Sequence, residues 1–250
     1  MELYIIRHAQ SENNALWAET GTSDGRHPDP SITDIGHQQA QLLANFLVDG
    51  DPDGEPNSFA QRHNRGGFGL THLYTSLMVR SIVTASYVAE RTGLPLTGWP
   101  DIHERGGLHQ TDPVTGEETG VAGPNRTYFA ENHPALVLPP EIGEQGWWGQ
   151  PPEDVASSYP RALRVWEALQ QRHGGTDDRV AIVSHGGFFQ SLLMTLLGMD
   201  DTSVWKSAIA GQIWFGMSNT AISRVELTNG NGVVRYINRV DHLPSHLITG

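Results

Sequence analysis

Leu3-Tyr4-Ile5-Ile6 is a short, unbroken apolar run that stops at Arg7-His8. Continuous apolar runs of this length read as strands buried on both faces. The run therefore constrains the fold and also places a cation and an imidazole at a strand's carboxyl end. In open α/β sheets, that end is where ligands bind. The same design recurs twice. Leu70–Tyr74, His72 notwithstanding, reads as a strand and leads to Arg80, one turn into the following helix. Val180–Val183 reads as a strand and runs into Ser184-His185-Gly186-Gly187.

Helical periodicity separates these runs. Ile35, Leu42, Leu43, Phe46 and Leu47 share one face of a helix within Ser31–Leu47, with Ser31 or Thr33 as cap. Thr75-Ser76 is expected to cap a helix from Leu77 to Arg91, closed by Gly93, with a short strand at Leu94–Leu96. Pro151-Pro152-Glu153-Asp154 suits a helix start. Ala162, Val165, Trp166 and Leu169 continue the helix, which Pro160 is expected to kink or divide. Phe188–Leu197 is helical and closed by Gly198. Ala221–Leu227 and Val233–Val240 flank Asn229-Gly230-Asn231-Gly232, a strong hairpin signal. Asp49–Gly69 is expected to be an exposed loop. Residues 105–150, rich in Gly and Pro, are expected to be an irregular insertion or lid. Strands alternating with helices define an α/β class.

The formal net charge of −12 disfavours a broad footprint for nucleic acid or an anionic membrane, though not a local cationic pocket. The absence of cysteine excludes disulfides, thiolate nucleophiles and cysteine-based zinc sites. No leader-like segment precedes the first strand, and no apolar run approaches a membrane span; a cytoplasmic location is expected. The histidines outside the three junctions lack metal-ligand spacing, so no metal is expected. Neither a Gly-x-Ser-x-Gly elbow nor a phosphate-binding Gly-x-x-x-x-Gly-Lys loop is present.

If the three strands are neighbours, two arginines and two histidines converge above one sheet edge. Ile102-His103-Glu104-Arg105-Gly106-Gly107 adds a carboxylate before a flexible loop. Phosphoryl transfer needs such a set. Guanidinium matches phosphoryl oxygens with paired donors, neutral imidazole can attack phosphorus, and a carboxylic acid can protonate a departing alkoxide. Glycines 186 and 187 suit close approach of a ligand to the backbone.

These residues resemble the histidine phosphatase superfamily, in the branch of cofactor-dependent phosphoglycerate mutases and related phosphatases. Its Arg-His-Gly signature is matched by Arg7-His8-Ala9, its Glu/Gln-Ser by Gln10-Ser11, and its following asparagine by Asn14. Its Thr-x-x-Gly-x-x-Gln-Ala segment is matched by Thr33, Gly36, Gln39 and Ala40. Its Ser-x-x-x-Arg-(small)-x-x-Thr-Ala segment is matched by Ser76, Arg80, Ser81, Thr84 and Ala85. Ser184-His185-Gly186 and Asn219 to Ile222 complete the series in the family's order.

The resemblance implies a three-layer α/β/α sandwich with a mostly parallel sheet, residues 1–250 forming one domain. It implies His8 as nucleophile, with Arg7, Arg80 and His185 holding phosphoryl oxygens, assisted by Asn14 and Gly186. Glu104 would be acid and then base. Neither metal nor cofactor is implied, and the partner would be a phosphorylated small molecule. Ala9 departs from the usual glycine. The mutase continuation after the acid is replaced by Arg105-Gly106-Gly107, which favours a phosphatase. A mutase, or an inactive phospho-ligand-binding protein, are the competing readings. Trp147-Trp148 could line the site's mouth or clasp the loop. Substrate and oligomeric state, monomer or homodimer, stay open.

Overall fold

The computed structural model describes residues 1–50, 62–198, 214–228 and 231–250. Its elements are β1 (Glu2–Arg7), α1 (Glu12–Thr20), α2 (Asp34–Asp49), β2 (His72–Thr75), α3 (Val79–Thr92) and β3 (Leu96–Gly98). Then come β4 (His109–Thr111), β5 (Glu118–Gly120), α4 (Arg126–Asn132), β6 (Leu136–Val137), α5 (Val155–His173) and β7 (Arg179–Ser184). The last are α6 (Gly186–Leu196), β8 (Ile222–Thr228) and β9 (Asn231–Arg239).

The central sheet runs β6-β3-β2-β7-β1-β8-β9. The five strands from β6 to β1 are parallel, and β8 and β9 are antiparallel. Alternation along β1 divides the core. Tyr4 and Ile6 face a cluster with Leu43, Leu47 and Val88 of α2 and α3. Leu3 and Ile5 face Val165, Leu169, Phe188 and Leu192 of α5 and α6. The fold is thus a three-layer α/β/α sandwich around a mostly parallel sheet, as expected. No helix among the described residues is long and apolar enough to cross a membrane.

Several boundaries differ from expectation. α3 begins at Val79, and its cap position Met78 makes no side-chain cap bond. Ser76, expected as a cap, instead bonds a histidine of the site. β3 lies two residues later than expected, because Leu96–Gly98 is the stretch in register with Leu73–Thr75. Pro160 leaves α5 undivided, since Pro160 and Ala156, whose carbonyl would have accepted its missing N–H, are both exposed. In the expected exposed loop, 51–61 lies outside the described residues. Asn64 and Phe68 are buried, Asn64 donating to the Tyr4 hydroxyl at 2.8 Å and Phe68 packing on Tyr4 and Phe46. Residues 105–150 are not irregular throughout: they carry the β4–β5 hairpin, α4 and β6. Turn residues Asn229 and Gly230 lie outside the described residues, but β8 and β9 pair antiparallel with Thr228 opposite Asn231.

Candidate active site

β7 lies between β1 and β2, so the three expected junctions are adjacent at one carboxyl edge. Arg7 and His8 leave β1, Arg80 sits in the first turn of α3, and His185 caps α6. All four side chains are buried or nearly so.

His8 Nδ1 lies 2.7 Å from the Ala9 carbonyl, which can only accept, so Nδ1 carries the proton. The Arg80 Nε–H donates to His8 Nε2 at 3.2 Å, which places the lone pair on Nε2. Burial, with the charges of Arg80 and Arg7, holds the His8 pKa well below the usual histidine value. The imidazole is neutral at physiological pH, with Nε2 as a nucleophilic nitrogen. His185 lies ring to ring with His8 at 5.1 Å. Its Nε2 is held by the Ser76 hydroxyl at 2.7 Å and the Ser81 hydroxyl at 3.2 Å. Its pKa is likewise depressed, first by burial and then by Arg80.

Arg7 donates from Nη1 to the Met217 carbonyl at 2.5 Å. Its Nε and His185 Nδ1 are buried with no hydrogen-bond partner among the described residues. Buried donors without partners are costly unless a ligand completes them. An oxyanion seated beside His8 Nε2 would satisfy both. Asn14 Oδ1 already accepts from the Ser11 N–H, the Ser11 hydroxyl and Asn219 Nδ2 at 3.0–3.1 Å. The amide nitrogen is therefore the end of Asn14 left to meet a ligand.

Glu104 follows the short helical turn Pro100–Ile102 and reaches the N-terminus of α6. Its Oε1 accepts the Arg105 and Phe188 N–H groups at 2.7 and 3.0 Å, and its Oε2 accepts the Gly187 N–H at 3.2 Å. Oε2, with one donor against two, is the freer oxygen for proton exchange. Gly187 lies against Glu104 and the adjacent Gly186 lies against Arg7 Nε, which sets the carboxylate beside the same pocket. Gly187 is glycine because a Cβ there would lie 2.4 Å from Glu104 Oε1. At Gly186 a Cβ would meet only Arg7 Nε, at 3.8 Å.

The remaining motif residues hold this arrangement. Thr33 caps α2 and Gly36 admits the Gln10 carbonyl, which a Cβ would approach to 2.4 Å. Gln39 accepts from the Gln10 N–H at 2.7 Å, and Thr84 accepts from the Ala9 N–H at 2.9 Å. The loop after His8 is thus fixed from both sides. Asn219 Nδ2 donates to the His8 carbonyl at 3.0 Å. The Ser184 hydroxyl donates to the Ile102 carbonyl at 2.7 Å and ties β7 to the segment carrying Glu104. The methyl of Ala9 is fully buried in a small cluster with Ile32 and Ala40.

Two contributors fall outside the sequence motifs. Asp29, from the loop before α2, accepts the Val79 N–H at 3.0 Å and stands 3.9 Å from Arg80 Nη1. Burial, partly offset by Arg80, pushes its pKa up to about 6, and its Oδ2 is buried without a partner among the described residues. Its placement four residues before Thr33 is the one linear cue. Buried Arg161 of α5 donates to the Asp101 and His103 carbonyls at 2.7 and 3.1 Å, bracing the Glu104 segment. The arginines of a helical period otherwise look like solvent-facing residues.

Trp147 and Trp148 are buried with Leu108, Phe129 and Ile142. Trp148 meets His103 edge to face at 4.6 Å, and a Cβ on Gly107 would lie 2.0 Å from its ring. The pair is a clasp under the 105–150 segment. A separate groove of about 840 Å³, with Tyr74, Trp99, Leu138 and Arg172 in its lining, contains none of the residues gathered around His8. Chemistry rather than size identifies the site.

Known proteins resemble this chain in sequence and in fold. The family model described as "Histidine phosphatase superfamily (branch 1)" matches residues 3–240. A probable phosphoglycerate mutase GpmB of Yersinia pestis is 26% identical over 208 residues, spanning 80% of this chain and 76% of its own. Among solved structures, Bacillus stearothermophilus YhfR superposes with a TM-score of 0.56 at 19% identity, covering 96% of this chain and 98% of that one. A mycobacterial glucosyl-3-phosphoglycerate phosphatase does so at 0.57 and 17%, covering 96% and 99%. Entamoeba histolytica phosphoserine phosphatase does so at 0.55 and 20%, covering 97% and 99%. At these identities the structures establish the fold, and the match over nearly the whole length establishes that the chain belongs to branch 1 of the histidine phosphatase superfamily.

Proposed function

We propose that the protein is a phosphomonoesterase that hydrolyses a phosphorylated small molecule through a phosphohistidine on His8, without a metal. The observation that carries the proposal is the set of atoms around His8 Nε2. A neutral nucleophile stands beside Arg80, and two buried nitrogens, Arg7 Nε and His185 Nδ1, have no hydrogen-bond partner among the described residues. In the first step His8 Nε2 bonds phosphorus as the ester P–O bond breaks. The leaving oxygen takes a proton from Glu104. Arg7, Arg80, His185 and the Asn14 amide hold the phosphoryl oxygens and offset their charge. In the second step Glu104 takes a proton from water, and the hydroxide formed bonds phosphorus. The P–N bond breaks, releasing orthophosphate and neutral His8. The charge stabilisation comes from side chains, so no cofactor is required for either step.

Residues 1–250 act in this reading as one domain, with 105–150 as a wall on the leaving-group side. A mutase is the second reading, supported by the likeness to the Yersinia protein. Against it stands the Arg105-Gly106-Gly107 sequence after the acid.

The purified protein is expected to hydrolyse p-nitrophenyl phosphate in EDTA, and His8→Ala to abolish turnover. Activity that survives His8→Ala, or disappears with chelator, overturns the mechanism. A screen of phosphate monoesters with and without 2,3-bisphosphoglycerate separates the readings. Isomerisation of phosphoglycerate faster than release of orthophosphate would establish the mutase. Binding without turnover of any ester would establish a phospho-ligand-binding protein.

A further inference from the structure

A second cluster lies at the opposite edge of the parallel strands. His72 opens β2, His173 closes α5, and Asp178 immediately precedes β7. His173 Nδ1 is 2.9 Å from Asp178 Oδ2, and His72 Nδ1 is 4.0 Å from Asp178 Oδ1. The two imidazoles stand edge to face with centroids 4.5 Å apart. One ligand atom from each residue lies within 4.8 Å of the others, and no other such group of His, Asp or Glu occurs among the described residues. His173 is buried, whereas His72 and Asp178 keep 40% and 27% of their side chains exposed, so an ion has a path from solvent.

We propose that His72, His173 and Asp178 form a binding site for a late first-row divalent cation such as Zn²⁺, separate from the phosphoryl site. Two imidazole nitrogens and one carboxylate oxygen suit Zn²⁺, Co²⁺ or Ni²⁺, whereas Mg²⁺ and Ca²⁺ prefer all-oxygen sets. A tetrahedral ion with bonds of ~2.1 Å sets its ligands ~3.4 Å apart. The present separations bracket that value, and the part-exposed ring of His72, whose Nδ1 now meets the Thr71 hydroxyl at 2.9 Å, would give up that bond to take the ion. His173 now donates its Nδ1 proton to Asp178. On metal binding that proton passes to Nε2, which then donates to the Tyr74 hydroxyl 3.1 Å away. The imidazole stays neutral and keeps one proton throughout. Tyr74 thereby fixes the tautomer, as partners of metal-bound histidines commonly do. Water completes the fourth position.

Linear spacing could not reveal the trio, because its members come from β2, the end of α5 and the turn before β7. An ion there would join three elements, so binding is linked to folding.

Titration of ZnCl₂ into the EDTA-treated, desalted full chain by calorimetry tests the proposal. One saturable site is expected, with a rise in Tm of roughly 5–10 °C at a hundredfold excess over Kd. MgCl₂ should give no heat. His72→Ala and Asp178→Asn should each weaken zinc binding at least tenfold. His72→Ala should leave hydrolysis of p-nitrophenyl phosphate unchanged. His72 is half-exposed, so its removal does not threaten folding, and Asp178→Asn keeps shape while removing charge. Absence of a saturable 1:1 event overturns the proposal, as does zinc binding by both variants with wild-type affinity.

Discussion

The proton on His8 is placed by its own neighbour: the Ala9 carbonyl takes Nδ1–H and leaves Nε2 to react. Ala9 is therefore used through its backbone, and its methyl group only fills space beside Ile32 and Ala40. Ala9→Gly should cost roughly 0.5–1 kcal/mol of stability and leave kcat/KM within twofold, measured by urea unfolding and steady-state kinetics. Asp29 makes a different prediction. With a pKa of about 6 it is charged at pH 7.5, where under the proposed function it competes with substrate for Arg80. Asp29→Asn should tighten inhibition by orthophosphate by roughly fivefold to tenfold, on the order of 1 kcal/mol. An unchanged inhibition constant would mean that its charge is not felt in the pocket. Arg7, His8, Arg80 and His185 were legible because each falls within a few residues of a strand end, where a buried apolar run ends and polar chemistry begins. Asp29 and Arg161 were not, because they act across space from a loop and from a helix whose period explains only its apolar residues.

At the scale of elements, α6 serves the site with its N-terminus. Its first N–H groups after Gly186 point at Glu104 and hold the carboxylate beside the cationic cluster. Gly187→Ala would push a methyl group into Glu104 Oε1. It should lower kcat about tenfold or more for alkyl phosphates and less for p-nitrophenyl phosphate, whose leaving group needs little help from an acid. Equal losses for both would point to another proton donor. Helices α2, α3, α5 and α6 were readable from their apolar period, whereas α1, which buries no residue, and the short α4 gave no such signal despite their Ser11 and Asn125 caps. The start of α3 falls two residues later than expected, because Ser76, which looks like a cap, holds His185 and the Met78 N–H in the turn before the helix. The 105–150 segment was hardest to read, since its strands are two or three residues long and its order rests on packing around Trp147 and Trp148. Gly107→Ala, which places a methyl group against Trp148 at a left-handed backbone position, should loosen that segment and lower Tm by several degrees.

For the whole molecule, buried imidazoles set the response to acid. His8 and His185 have depressed pKa values, and burial lowers His103 to about 3 and His242 to about 4. In the unfolded chain each takes up a proton near pH 6.5. Below that value the unfolded state binds more protons, and stability falls with falling pH. Asp29 opposes this, because its raised pKa adds stability as pH falls through about 6, but it is one group against four. Calorimetry should show Tm dropping by roughly 10 °C or more between pH 7 and pH 5. A flat profile would mean that these imidazoles charge without unfolding the protein. The strand order has a consequence for how the chain is made. Glu2 pairs with Arg179 on one side and Glu226 on the other, so β1 leaves the ribosome long before either neighbour exists. Until then its apolar run has no sheet to join. Nascent chains halted before β7 should be sensitive to protease and bound by chaperones, and His8 meets His185 and Asn219 only after β7 has been made.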